Sequence, residues 1–214
     1  FIDNEMKFVS HMTDSAGELQ SAAEAITPAA LQEAKAAIAA FCQEYIRWAD
    51  LFSRRLESLP DEKLHQFARA FALTLMGQLP TRPGTCPFCI QYGQDRSCRG
   101  CGYAATHGRC DSENSAFSVF IEAFQELGRV IYQDTGEIGC SAQQARQKLY
   151  SCIKASARLA LQMEQAIDSA STCDLMQLKA DYIRAMVELI PAPLLSQEVA
   201  LRLQTVKKAL GNYW

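Results

Sequence analysis

The sequence CPFCIQYGQDRSCRGC, residues 86–101, separates two long stretches that carry helical patterns. It contains two Cys-x-x-Cys pairs, Cys86 with Cys89 and Cys98 with Cys101, with eight residues between the pairs. Each pair can offer two thiolates from a tight turn, and the loop between them is long enough to bring the pairs face to face around one tetrahedral ion. The sequence therefore predicts a metal site here, with Cys86, Cys89, Cys98 and Cys101 as its ligands.

Strand signals are nearly absent on either side of this stretch, and helical ones are dense. Thr27-Pro28 has the residue types of a helix N-cap and first position, and the helix they start is predicted to reach about Leu56. Its apolar residues step by three and four, which places them on one face. They are Leu31, Ala34, Ile38, Phe41, Tyr45, Trp48, Phe52 and Leu56.

Similar patterns predict further helices, and no internal repeat is evident. The connections between the helices are short, which favours an antiparallel bundle because sequential helices must then be neighbours. The buried stripe of the helix capped by Ser141 includes Ser156, whose hydroxyl is expected to bond back to the preceding turn. The predicted helices span about residues 14–25, 60–78, 112–135, 141–167, 174–190 and 195–210.

Proline and glycine break any regular period between Leu79 and Asp111, so this segment is predicted to be loops and turns built on the metal. The fold class expected is thus all-α, an antiparallel helical bundle with an inserted irregular Cys-rich metal-binding module. His11-Met12 has the look of a cloning junction, so residues 1–12 are interpreted as a tag or disordered N-terminus. The predicted organisation is N-terminal helices over 13–79, the metal module over 80–111, and C-terminal helices over 112–214 that pack with the first group as one domain.

The second pair continues as Cys98-Arg-Gly-Cys101-Gly102-Tyr103, and Cys-x-x-Cys-Gly followed by an aromatic residue resembles the metal knuckles of rubredoxins and zinc ribbons. A glycine after the second cysteine lets the backbone turn so that amide N–H groups point at sulfur. The first pair shares Cys-Pro-x-Cys with those knuckles but lacks the glycine. The resemblance covers about 18 residues, 86–103, and implies a ligand role for the four cysteines and no activity.

The identity of the metal stays open between two alternatives. Four thiolates in a tetrahedron select zinc or iron, and Zn²⁺ is the first choice. An iron–sulfur centre such as a 4Fe-4S cluster, or a single iron ion, is the second choice. Cys110 keeps that second choice open, because a fifth thiol can replace a member of one pair or act as an exchangeable ligand. His107 is a further candidate ligand, although a lone histidine among glycines is more typical of a solvent-exposed loop.

Four arginines surround the cysteines, namely Arg82, Arg96, Arg99 and Arg109, together with Tyr92 and Tyr103. This basic, aromatic patch could contact phosphates or stack on bases. The simpler interpretation is that the arginines solubilise the loop and offset the negative charge of thiolates on a divalent ion.

Other candidate sites are weaker. Cys42 and Cys152 fall beside apolar helix faces and are expected in the core, whereas Cys140 precedes a helix N-terminus that could make its thiol reactive. Glu62-x-x-His65 matches one half of a di-iron bundle motif, but no second copy exists. Four cysteines on one ion leave no open position for catalysis, so an enzyme is not the favoured interpretation.

The composition fits a globular protein, with 49% hydrophobic and 21% charged residues and a formal net charge of −3. An odd count of nine cysteines and the lack of an export signal favour a reducing cytoplasm, and no apolar run is long enough to cross a bilayer. The function predicted is a non-enzymatic cytoplasmic interaction or regulatory module with a structural zinc site and another protein as partner. The alternatives are an iron–sulfur redox or sensor protein and nucleic-acid binding through the arginine-rich loop.

Overall fold

A computed structural model describes residues 17–94 and 98–214, and within them the protein is all-α with no β-strand. The predicted helical class is therefore confirmed for this part of the chain. Residues 1–12, and the predicted start of the first helix at about residue 14, lie outside the described residues. The helices are α1 (17–24), α2 (Pro28–Glu57), α3 (Leu64–Gly77), α4 (Pro87–Tyr92), α5 (Gly102–His107), α6 (Ala116–Gln133), α7 (Ala142–Ile167), α8 (Thr172–Glu188) and α9 (Gln197–Leu210).

The long helices α2 and α7 pack side by side in antiparallel orientation. Residues later in α2 contact residues earlier in α7. In the buried centre of this pair the Tyr45 hydroxyl donates to the Ser156 hydroxyl, which donates back to the Cys152 carbonyl 2.7 Å away. The back-bonding expected of Ser156 is thus confirmed. The contacts that record the register are Lys35 with the Asp168 carbonyl (2.9 Å), Gln43 with Glu164 (2.6 Å) and Tyr45 with Ser156 (2.7 Å).

Helix α6 runs antiparallel to both α3 and α9. Towards α3, Arg69 donates to the carbonyls of Ile131 and Tyr132. Towards α9, Arg202 lies 3.8 Å from Glu126. One apolar core joins these helices to α2, α7 and α8, so the helices before and after the Cys-rich segment share their buried surface.

Three cations satisfy carbonyl groups at the C-terminal ends of helices other than their own. Lys35 donates to the Asp168 carbonyl at the end of α7, and Arg69 donates to the Ile131 carbonyl in the last turn of α6. Arg146 donates to the Leu56 carbonyl in the last turn of α2 and to the Leu59 carbonyl just beyond that helix. The final carbonyls of a helix lack partners within it and carry the negative end of its dipole, so a cation placed there stabilises both. These side chains thereby fix the ends of neighbouring helices to one another.

Replacing Arg146 by methionine is expected to lower the free energy of unfolding by about 1–3 kcal/mol, because the change leaves carbonyls at the end of α2 without their charged donor. Arg146 Nη1 lies 2.7 Å from the Leu56 carbonyl, and Arg146 also pairs with Asp61. Urea unfolding followed by circular dichroism measures the change. The control is Arg47→Met, since Arg47 is exposed and pairs with Glu44 alone on its own helix. Equal stabilities for the two variants would contradict the capping role.

Asp134, at the end of α6, ties the following loop to α9. Its carboxylate accepts N–H bonds from Gly136 (3.0 Å) and Ser196 (2.9 Å), and His65 Nε2 lies 3.4 Å away. Burial acts to raise the pKa of Asp134, but the two N–H donors and His65 outweigh it and hold that pKa below its usual range.

The stability of the protein is therefore expected to depend on the ionisation of Asp134. A carboxyl whose pKa is lower in the folded than in the unfolded state contributes stability above its unfolded pKa, about 3.9, and loses it as the pH falls through the folded value. Asp134→Asn should lower stability at pH 7 and flatten the loss of stability between about pH 4 and pH 2. Urea midpoints across that range test this, and an unchanged slope in the variant would count against it.

The predicted helix limits hold for α2 and α7, where Thr27 and Ser141 are the N-caps. The start of α8 was predicted three residues late, because Ser171 is its N-cap and Asp174 is the capping-box partner at the third helical position. None of the helices in the described part of the chain combines the length and the hydropathy that a bilayer-spanning segment needs.

Candidate thiolate metal centre

The Cys-rich segment is more regular than the sequence predicted. It begins with a 3-10 turn at Pro83–Thr85 and contains the two six-residue helices α4 and α5. Each helix begins just after a cysteine, since Cys86 is the N-cap of α4 and Cys101 that of α5. Proline and glycine at the first helical positions, Pro87 and Gly102, therefore start helices here and do not only interrupt them.

The two short helices share a framework that amounts to an internal repeat with an offset of 15 residues. Counting from the N-cap cysteine, each copy has an aromatic residue at the second position, a second aromatic ring at the sixth and glycine at the seventh. The expectation of no internal repeat is therefore wrong at this scale. The matched positions are Cys86 and Cys101, Phe88 and Tyr103, Tyr92 and His107, and Gly93 and Gly108.

The backbone N–H groups at the third helical positions act on the thiols at the two N-caps. The Cys89 N–H acts to lower the pKa of Cys86, and the N–H groups of Ala104 and Tyr103 act to lower that of Cys101. Neither sulfur forms a side-chain capping hydrogen bond with its helix. Gly102 has a further reason to be glycine, because a Cβ there would lie 2.0 Å from the Cβ of Ala22 on α1.

The thiols of Cys86, Cys89 and Cys110 lie close together and line one cavity. Interaction with Cys89 and burial raise the pKa of Cys86 well above its usual value, and interaction with Cys110 raises the pKa of Cys89 to about 11. Interaction with Cys89 instead lowers the pKa of Cys110. Of these three thiols, Cys110 therefore ionises most readily.

Cys110 also interacts electrostatically with Cys86, Cys98 and Cys101, so it lies in range of all four other cysteines of the segment. Cys101 is buried and interacts with Cys86 and Cys98, and burial raises its pKa. Cys98 adopts a left-handed backbone (φ +51°), and its carbonyl accepts the Cys101 N–H at 3.1 Å, which closes the second turn. Among residues 17–94 and 98–214, no three or more His, Cys, Asp or Glu side chains are arranged at metal-binding geometry.

A buried cation faces this cluster. Lys179 of α8 is 1% exposed, its Nζ donates to the Thr85 carbonyl at 3.2 Å, and it lies 5.8 Å from the centre of the Tyr213 ring. Its electrostatic partners in the described chain are Cys86, Cys89 and Cys110; burial lowers the pKa of the ammonium and the three sulfurs oppose that effect. The three cysteines and Lys179 line one cavity of about 30 Å³, which has room for a single ion or water.

Tyr213 and Trp214 are docked against the residues of the two short helices. Tyr213 is 2% exposed, and its carbonyl accepts the Tyr103 hydroxyl at 2.6 Å. The Trp214 ring is parallel to that of Tyr103 at 6.1 Å and packs at 6.3 Å from that of Phe88. The aromatic residues of both short helices therefore meet the last residues of the described chain.

His107 packs against aromatic rings. Its ring stacks on that of Tyr103 at 4.4 Å, its Nδ1 lies 2.7 Å from the Thr106 hydroxyl, and burial lowers its pKa. This geometry gives the His107 ring a packing role, and its ligand role stays a prediction.

The described arginines have different surroundings. Arg82 lies over the Phe41 ring at 5.5 Å and lines the cavity beside Cys86 and Cys89. Arg109 forms a two-pronged pair with Asp111, and Arg99 is exposed. Arg96 lies outside the described residues. Tyr92 packs near Gly100, and Tyr103 is 3% exposed, so the Tyr103 ring is buried inside the protein and cannot stack on a base as the sequence suggested.

The remaining cysteines have different surroundings. Cys42 and Cys152 are buried in the helical core as predicted, and Cys140 is exposed. Cys173 is half-buried and packs against the apolar cluster that contains Cys86 and Cys101. All nine cysteines are free thiols.

Lys179 was missed from the sequence, although one signal was present. It stands three and four residues from Met176, Leu175, Tyr182 and Ile183, which are apolar or aromatic residues of the buried stripe of α8. A lysine in the middle of such a stripe indicates a buried charge that needs an anionic partner. Comparisons of this chain with protein-family models, with curated proteins and with solved structures found no match.

Proposed function

We propose that this protein is a non-enzymatic metal-binding helical protein in which the cysteine cluster holds one Zn²⁺ and thereby fixes residues 80–111 as an interaction or regulatory module. The observation that carries this proposal is the gathering of five cysteines from two short helices and two turns, with Cys110 in range of the other four. Such a concentration of thiols has little structural purpose unless they bind something soft.

The mutual contacts favour Cys86, Cys89, Cys101 and Cys110 as the ligands of this proposed site. Cys86 and Cys89 interact with each other and with Cys110, and Cys101 interacts with Cys86 and Cys110. Cys98 interacts with Cys101 and Cys110, so it is the neighbour that could exchange with a bound ligand. The four ligands predicted from the sequence, the two Cys-x-x-Cys pairs, include Cys98 where this proposed set includes Cys110.

Zinc is favoured over a cluster by the small size of the cavity beside three of the thiols. The cavity of about 30 Å³ that Cys86, Cys89 and Cys110 line has room for one ion but not for a four-iron cubane. Four thiolates would complete the tetrahedral coordination of zinc and leave no position for a reacting water, which is why no catalysis is proposed. The free thiols of such a site would be stable in a reducing compartment such as the cytoplasm, and its partner is proposed to be another protein.

A 4Fe-4S redox or sensor centre is the second candidate, and the position of Cys110 supports it. A cubane needs four cysteines, and a fifth beside them offers the exchange position that a sensor uses. The buried ammonium of Lys179 suits an anionic cluster as well as it suits a zinc thiolate.

Metal analysis together with an ultraviolet–visible spectrum, on protein purified without oxygen, tests the proposal. About one zinc per chain and no visible absorption is the expected result. Brown protein with several irons and matching sulfide would replace zinc by the cluster. Protein that contains no metal, and that binds neither zinc nor iron when its thiols are reduced, would overturn the metal function altogether.

A further inference from the structure

Lys179 presents a physical problem that the helical fold does not solve. Its side chain is 1% exposed, and removing an ammonium group from water is strongly unfavourable without an anionic partner. A single backbone carbonyl, that of Thr85 at 3.2 Å, accepts from Nζ. The Tyr213 ring at 5.8 Å adds a weaker attraction.

The groups that face Lys179 are the ones proposed to bind metal. Its described electrostatic partners are the thiols of Cys86, Cys89 and Cys110, and no carboxylate is among them. Neutral thiols do little to compensate a buried charge. Four thiolates on a divalent ion, however, carry a net charge of −2 that itself needs compensation inside a protein.

We infer that Lys179 is the fixed counter-charge of the thiolate centre, a positioning residue that makes the site select a metal complex of net negative charge. This inference rests on the proposed metal function and adds a residue from the distant helix α8 to the site. Metal binding and the burial of Lys179 would then stabilise each other, and α8 would be coupled to the metal state of the Cys-rich segment through the Thr85 carbonyl.

Co²⁺ is the probe for the test, because tetrahedral cobalt thiolates absorb in the visible range and Zn²⁺ displaces the cobalt. The reduced protein is titrated with Co²⁺ and then with Zn²⁺ in competition with a chelator. Lys179→Met, which keeps the length and apolar stem of the side chain, is expected to weaken binding of both metals about 10- to 100-fold, the usual effect of losing an outer partner of a metal ligand.

Two further variants separate charge from structure. Lys179→Gln can still donate a hydrogen bond towards Thr85 but has no charge, so it should bind metal as weakly as Lys179→Met. Lys35→Met is the matched control, because Lys35 is also buried and also donates to a backbone carbonyl, but its partner is Asp168 at the end of α7. Lys35→Met should bind Co²⁺ with the affinity of the unmodified protein.

The outcomes distinguish this inference from the proposed function. If the unmodified protein gives no cobalt thiolate spectrum, the metal function fails and the inference fails with it. If the unmodified protein and Lys179→Met bind Co²⁺ equally tightly, the metal function stands and the role of Lys179 is wrong. If Lys179→Gln binds Co²⁺ with full affinity, the counter-charge role of Lys179 is wrong. The effect of Lys179→Met would then come from the lost hydrogen bond to Thr85. Thermal melts of the metal-free variants show whether each is folded. If Lys179→Met is unfolded, the metal affinity of Lys179→Gln tests the role of Lys179.

Discussion

Cys110→Ser is expected to lose the metal almost completely, with at least a 10-fold lower affinity for Zn²⁺ than the unmodified protein. Cys110 interacts electrostatically with Cys86, Cys98 and Cys101, and it lines one cavity together with Cys86 and Cys89. A serine hydroxyl is a poor ligand for an ion that prefers soft thiolates, so the remaining cysteines cannot make up the loss in place. Zinc content after dialysis and competition with a chelator measure the effect.

The matched control for this change is Cys140→Ser. Cys140 is exposed at the start of α7 and is not among the cysteines that interact with the cluster, so its replacement should leave the zinc content unchanged. Cys98→Ser provides the decisive comparison. If the sequence-based set of two pairs is correct, Cys98→Ser loses the metal and Cys110→Ser keeps it, which would contradict the ligand set that the contacts favour.

Phe71→Ala is expected to lower the free energy of unfolding by about 3–5 kcal/mol, the largest stability change expected of any substitution considered. Phe71 of α3 is fully buried and meets the Phe52 ring of α2 edge to face, with the centroids 5.5 Å apart. Truncation removes this contact and leaves a cavity that the surrounding helices can fill only in part. Since small domains are stable by only about 5–15 kcal/mol, the variant should unfold at a much lower urea concentration.

The control for Phe71→Ala is Tyr132→Ala on α6. The Tyr132 side chain is 70% exposed, so its loss should change the stability by no more than about 0.5 kcal/mol. Both variants are compared in the same metal state by urea unfolding followed at 222 nm. A loss of under about 1 kcal/mol for Phe71→Ala would mean that the core between α2 and α3 is packed differently from the structure described above.

Local patterns were enough to predict the long helices, for identifiable reasons. Thr27-Pro28 and Ser141 are strong start signals, and both are observed as N-caps. The predicted start of a helix was wrong where two residues could each mark it. At α8 the acidic residue Asp174 was taken as the start, although Ser171 provides the hydroxyl that caps the helix and Asp174 completes the capping box.

The Cys-rich segment shows where pattern reading is misleading. Its prolines and glycines were read as breaks, yet Pro87 and Gly102 occupy first positions of short helices. The repeat that relates α4 to α5 was hidden because it preserves cysteine, ring and glycine positions but not residue identities between them. Such a framework becomes visible once the helix starts are superposed.

The sequence by itself determined the helical class, the helices α2 and α7, and the place on the chain where thiols concentrate, because caps, periodicity and cysteine spacing act between residues close in sequence. Tertiary structure alone decided that Cys110 lines the same cavity as Cys86 and Cys89 and that His107 stacks on Tyr103. It also decided that Lys179 of α8 and Tyr213 line that cavity. These relations join residues up to 127 positions apart, Cys86 and Tyr213. They depend on how the helices pack, which no local pattern encodes.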